Sequence, residues 1–130
     1  MRGISFRGLT ENGEWHKGLV AESAGFTGQV EAGVYISNMA GYPHAFKVRL
    51  ETIGEFTGLL DKTGKKIYEG DIVRHSGRCE SEVVFNEDNC AFQLCNKSLG
   101  YMYMDKSFSA KHFEIIGNIY EKPELIKEAK

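Results

Sequence analysis

Four residues with reactive or metal-binding side chains lie close together in the chain: His75, Cys79, Cys90 and Cys95. Soft ligands of this kind hold zinc when they come in pairs two to four residues apart. No Cys-x-x-Cys occurs, and Cys90 and Cys95 do not form a tight knuckle. On one regular strand, their odd offset places them on opposite faces. Free thiols pack well as small apolar groups, so no metal site is expected. Cys79 follows Arg78, whose positive charge favours a thiolate. A cysteine nucleophile also needs a base within hydrogen-bond reach. His75, His112, Asp88 and Asp105 are available, but no spacing selects among them. The expectation is a chain without a catalytic constellation or cofactor.

The stretch from Gly58 to Lys66 invites comparison with a phosphate loop. That loop needs four residues between its glycines and a Ser or Thr after the Lys. Here five residues separate Gly58 from Gly64, and Lys66 follows Lys65. The following Lys66–Tyr68 reads as a strand, not as the helix whose N-terminus binds phosphate. Glu80, Glu82, Glu87 and Asp88 form an acidic group at a turn. Glu80 and Glu82 share a strand face and read as solvated charge rather than paired catalytic acids.

Lys62, Lys65, Lys66, Arg74 and Arg78 form a basic stretch with Phe56 and Tyr68 nearby. Small barrels offer such residues to single-stranded nucleic acid. The acidic balance opposes this, with net charge −2 and pI about 6.1, because phosphate binding rests on basic excess. Nucleic-acid binding is therefore the second functional reading and an enzyme the third. A further set is aromatic. Leu99, Tyr101 and Tyr103 fall on one strand face, Met102 and Met104 on the other. Such residues suit a core strand or an interface. No Lys or Pro blunts the run from Leu99 to Met104, so Tyr101, Tyr103 and Phe108 are candidates for strand-mediated self-association.

The elements that must carry these residues are strands. Val30, Ala32, Val34 and Ile36 alternate with polar neighbours. So do Phe92 and Leu94, continuing from Cys90, and Phe113, Ile115 and Ile119 against His112, Glu114 and Asn118. Glu11-Asn12-Gly13, Asp61-Lys62-Thr63-Gly64, Glu69-Gly70-Asp71 and Asn86-Glu87-Asp88-Asn89 mark turns. Fifteen glycines against two prolines fit many tight turns. Pro123 and Glu124 suit the first turn of a short C-terminal helix. The predicted architecture is β-dominated. A β meander covers residues 1–52, an SH3-like small barrel residues 53–122, and a short helix residues 123–130. The chain's 130 residues suffice for a core without metal or disulfides. No apolar run approaches the roughly 20 residues of a membrane span. The N-terminus lacks the apolar stretch of a signal peptide. Three cysteines are an odd number for a secreted disulfide framework. The expected compartment is the bacterial cytoplasm.

Three segments carry a resemblance. Ser5–Val20 reads SFRGLTENGEWHKGLV, Glu51–Arg74 reads ETIGEFTGLLDKTGKKIYEGDIVR, and Phe113–Leu125 reads FEIIGNIYEKPEL. In this order they resemble the YopX-like proteins of phages and prophages, and the likeness covers almost the whole chain. It departs from the family pattern between Gly77 and Phe108, which holds all three cysteines. The resemblance implies a β-rich fold with an SH3-like part and brings no catalytic residue with it. The resemblance brings no established activity; the expected role is that of a phage or prophage accessory protein, non-enzymatic, binding a protein partner or a second copy of itself.

Overall fold

The structure, a computed structural model, describes residues 3–25, 31–37, 45–75 and 79–127. The chain divides into two compact units, Met1–Glu55 and Phe56–Lys130.

In the first unit, β1 (Phe6–Leu9) and β2 (Trp15–Ser23) form a hairpin, with Leu9 opposite Trp15. Its turn is the expected Glu11-Asn12-Gly13: Gly13 has φ +87 and donates to the Thr10 carbonyl. A residue with a Cβ tolerates that φ poorly. Strands β3 (Gly33–Ser37) and β4 (Ala45–Val48) continue the antiparallel meander. Val34 and Ile36 share a face as the alternation requires, and Ile36 is fully buried. Val30 lies outside the described residues. A Cβ on Gly8 would sit 2.8 Å from Val48 Cγ2, so this position needs glycine for close approach. A three-residue 3-10 turn, Leu50–Thr52, closes the unit. The buried Thr52 hydroxyl accepts from Leu9 N–H at 2.9 Å and donates to the Arg49 carbonyl at 2.6 Å. The first residues of β5 (Gly54–Leu60) then pair with β1, Phe6 opposite Glu55.

In the second unit, β5 turns back through Asp61–Gly64 into β6 (Lys66–Tyr68). Gly64 has φ +89 and donates to the Asp61 carbonyl, as a type I turn closed by a left-handed glycine requires. There follow β7 (Asp71–His75), β8 (Cys79–Asn86), β9 (Ala91–Asn96) and β10 (Gly100–Tyr103). Helix α1 (Lys106–His112), β11 (Glu114–Asn118) and helix α2 (Glu124–Lys127) complete the unit. The sheet is antiparallel in the order β10-β9-β8-β7-β11. One of its faces carries the core: Val73, Val83 and Leu94, with Ile67 and Phe113 packed on them. Burying each such side chain contributes roughly 1.5–3 kcal/mol.

The β-dominated architecture and the short C-terminal helix follow the sequence. The sheets are not closed into a barrel, since β10 and β11 each have a single paired neighbour in theirs. Helix α1 has no counterpart in the sequence reading, for seven residues are too short to show an apolar period. A second difference lies in β11. Ile115 pairs with Val73 and Asn118 with Asp71, with a bulge between Ile115 and Gly117. The extra residue reverses the alternation, so Asn118 is buried instead of facing out. There its Oδ1 accepts from the N–H groups of Tyr120 and Glu121, each at 3.0 Å.

The Asp61 turn is a fixed part of this unit. Oδ1 of the buried Asp61 accepts from Thr63 N–H, Lys65 N–H and the Thr63 hydroxyl, at 2.9, 3.0 and 2.7 Å. Oδ2 accepts from Ile115 N–H at 3.1 Å, across 54 residues of sequence. Burial raises the Asp61 pKa, and the hydrogen bonds from Thr63, Ile115 and Lys65 outweigh it. The net direction is downward from the ordinary 3.8. A carboxyl with a lowered folded pKa contributes stability above its unfolded value and loses it as pH falls through the folded one. Asp61→Ala leaves several partly buried donors unmet and is expected to cost about 2–4 kcal/mol at neutral pH. The difference from the native chain should shrink as pH drops below 3.8, which urea denaturation across acid pH will measure. An equal loss at every pH would show that the charge of Asp61 is immaterial.

Candidate functional site

The His and Cys residues singled out by type are not assembled into a centre. All three cysteines are free. Among the described residues, no group of three or more His, Cys, Asp or Glu side chains is placed to hold a metal ion. His75 Nε2 lies 3.1 Å from Ser81 Oγ, a spacing that could serve a nucleophile and its base. Ser81, however, is 0% exposed and His75 6%, and the imidazole ring packs against Phe113. Burial lowers the His75 pKa, so the neutral ring is favoured. Cys79 stands opposite His75 in the β7–β8 ladder. Cys90 sits at the β8–β9 turn with φ 52, outside the regular alternation. Burial, and then Glu82, push the Cys95 thiol upward, which disfavours a nucleophilic thiolate.

The basic stretch is largely compensated. Arg74 Nη2 contacts Glu80 Oε2 at 2.9 Å, and Glu114 stands opposite Arg74 on the other neighbouring strand. Lys62 Nζ lies 3.8 Å from Glu114. Lys66 Nζ sits 5.2 Å from the centre of the Phe56 ring. Lys65 is exposed on the turn, and Arg78 lies outside the described residues. In the first unit, a hollow lined by Glu11, Glu14, Phe46, Lys47 and Arg49 carries both signs of charge. Its cations are likewise engaged, Lys47 by Glu31 and Arg49 by Glu51.

The aromatic set behaves differently. Asn96 Oδ1 accepts from Ser98 N–H and Leu99 N–H, and Gly100 at φ +77 completes the turn into β10. Strand β10 pairs with β9 alone, Tyr101 opposite Cys95 and Tyr103 opposite Gln93. Among the described residues it is therefore an edge strand, paired on one side of its backbone. Met102 turns to the core, while Leu99, Tyr101 and Tyr103 are 56%, 59% and 74% exposed. Asp105 ends the run and caps α1, its Oδ1 accepting from Ser107 N–H and Phe108 N–H at 2.8 and 3.1 Å. Phe108 is 44% exposed, its ring 4.4 Å from that of His112. Tyr103, Phe108, Lys111 and His112, with Asp105 and Ser107, line an open hollow beside the edge. The sequence reading named Tyr101, Tyr103 and Phe108. It did not name Lys111 and weighed His112 only as a base for a cysteine; α1 brings both beside Tyr103 and Phe108, and the capping Asp105 was the available signal.

A scan against known protein families matches the YopX protein family over residues 13–127. The chain belongs to the YopX family. No curated protein matches it. Within the matched residues, the segments 57–73 and 116–125 form part of the architecture. Gly70 N–H donates to Val83 carbonyl, Ile119 N–H to Gly70 carbonyl, and Tyr68 N–H to Asp71 Oδ2. The exposed aromatic run lies within the residues that the family matches.

Glu82 supplies a charge test for the outer sheet face. Burial raises its pKa from the ordinary 4.5, with Glu69 adding repulsion. An acid with a raised folded pKa destabilises the fold as pH climbs through the unfolded value to the folded one, and fully above it. Glu82→Gln should therefore be more stable than the native chain at neutral pH, with the gain vanishing below pH 4.5. Thermal melting at both pH values checks this; a less stable variant at neutral pH contradicts it.

Proposed function

We propose that this YopX-family protein is a non-enzymatic accessory protein of a bacterial virus or prophage, acting in the host cytoplasm by binding protein through β10. The observation that carries this reading is the unprotected edge of β10 with Leu99, Tyr101 and Tyr103 exposed along it. An open strand edge offers backbone donors and acceptors to an added strand, and alternate side chains give selectivity. Tyr, Phe and Met are the residues that interfaces favour. The family's occurrence in phages and prophages, implied by the resemblance above, supports the setting. Binding to nucleic acid is less well supported, because Arg74 and Lys62 have carboxylate neighbours and the net charge is −2.

The test is capture on the tagged native chain from nuclease-treated extract of prophage-bearing cells, beside capture on Tyr103→Lys. The expected result is one or more proteins held by the native chain and lost from the variant. Retention of the same proteins by both chains would move the binding surface elsewhere. Loss of all capture on nuclease treatment would instead point to nucleic acid.

A further inference from the structure

The two edges of the second unit's sheet are treated differently. Strand β11 is interrupted by the bulge at Ile115–Gly117, and Leu125 of α2 reaches over Gly117, where a Cβ would lie 3.1 Å from Leu125 Cδ1. A bulge and a covering element are two of the ordinary means of blunting an edge. Among the described residues, β10 is short, at four residues, but has no bulge in its pairing with β9, and no Lys or Pro falls from Leu99 to Met104. An edge left in this state is a template for pairing with another strand.

The chemistry of the segment selects that partner. Tyr101-Met102-Tyr103 reads the same in both directions. An antiparallel pairing about a two-fold axis at Met102 puts each Tyr101 opposite a Tyr103 of the second strand. Aromatic pairs at such positions stabilise a sheet. The ends of the segment carry opposite charge, Lys97 before it and Asp105 after it. Antiparallel pairing brings each Lys97 end to an Asp105 end, whereas parallel pairing sets Lys97 beside Lys97. The segment is thus complementary to itself in one orientation, as a two-fold interface between identical chains requires. On this basis, and resting on the reading of β10 as the binding edge, we infer that the occupant of that edge is a second copy of this chain, joined by antiparallel β10–β10 pairing centred on Met102. The two five-stranded sheets then form one continuous sheet. Tyr101 and Tyr103 of both chains lie together on its outer face, and closure by the two-fold axis prevents further growth.

Light scattering after size exclusion of the full chain at micromolar concentration should give twice the 14.6 kDa of one chain. Tyr103→Lys places a charge on an exposed edge position, so the variant should keep the native circular dichroism and return to the mass of one chain. The register is read separately. Met102→Cys, oxidised under mild conditions, should form a covalent dimer to which the native chain, with its own three cysteines, gives no equivalent. A native mass of one chain throughout the micromolar range would overturn the inference. So would a dimer that survives Tyr103→Lys and yields no Met102→Cys cross-link. A single-chain mass together with Tyr103-dependent capture of another protein would overturn self-pairing while leaving β10 as the binding edge. Failure of both would remove the proposed function as well.

Discussion

The second unit depends on one buried carboxylate. Asp61 sits at the tip of the β5–β6 hairpin, and its two oxygens divide the work. Oδ1 holds its own turn closed, and Oδ2 accepts from Ile115 in β11. The hairpin is thereby fastened to the far edge of the sheet, and Lys62 N–H, donating to the Phe113 carbonyl, makes a second tie beside it. A carboxylate at this depth is tolerated only because N–H and O–H donors surround it, and removing any of them exposes the cost of its burial. Ile67 and Phe113, the two core side chains outside the sheet, come from the segments that these ties join.

This constraint explains what the segments 57–73 and 116–125 do in the fold. The residues of the TGLLDKTGKKIYEGDIV and IGNIYEKPEL stretches answer to one another. Gly70 lies between them, its N–H donating to Val83 and its carbonyl accepting from Ile119. Asp71 and Asn118 face each other in the β7–β11 ladder, and each holds a local turn with its side chain. Such residues are specific because few side chains can satisfy a bulge, a sharp glycine turn and a buried acceptor together. Among the described residues of this unit, the large apolar side chains that the scaffold leaves exposed are Leu99, Tyr101, Tyr103 and Phe108 at β10 and α1, with Leu60 and Phe85 elsewhere.

Much of this was legible in the chain, and the exceptions have particular physical causes. The turns at Gly13, Gly64 and Gly70 were readable because a left-handed backbone calls for glycine. The alternation of Phe92 and Leu94 against Gln93 gave the correct faces, yet Gln93 is buried, with Asn86 and Asn89 donating to its side-chain Oε1. Periodicity records side-chain type and cannot anticipate partners from a neighbouring turn. Asn118 was misplaced because a bulge shifts the register without leaving a compositional mark. The basic stretch looked like a surface for phosphate because its neutralising partners, Glu80 and Glu114, arrive from other strands. The aromatic run was visible in composition, but whether it was central or peripheral in its sheet depended on topology that no local pattern encodes.

Asp61 locks the β5–β6 hairpin to β11, and the two segments together act as scaffold. Native-state amide exchange at Ile115 tests it most directly, since that N–H owes its protection to a side chain 54 residues away. The account predicts exchange as slow as that of the core amides of β7 and β8, governed by global unfolding. Exchange at Ile115 near the rate of an unstructured peptide, with β7 and β8 still protected, would contradict it.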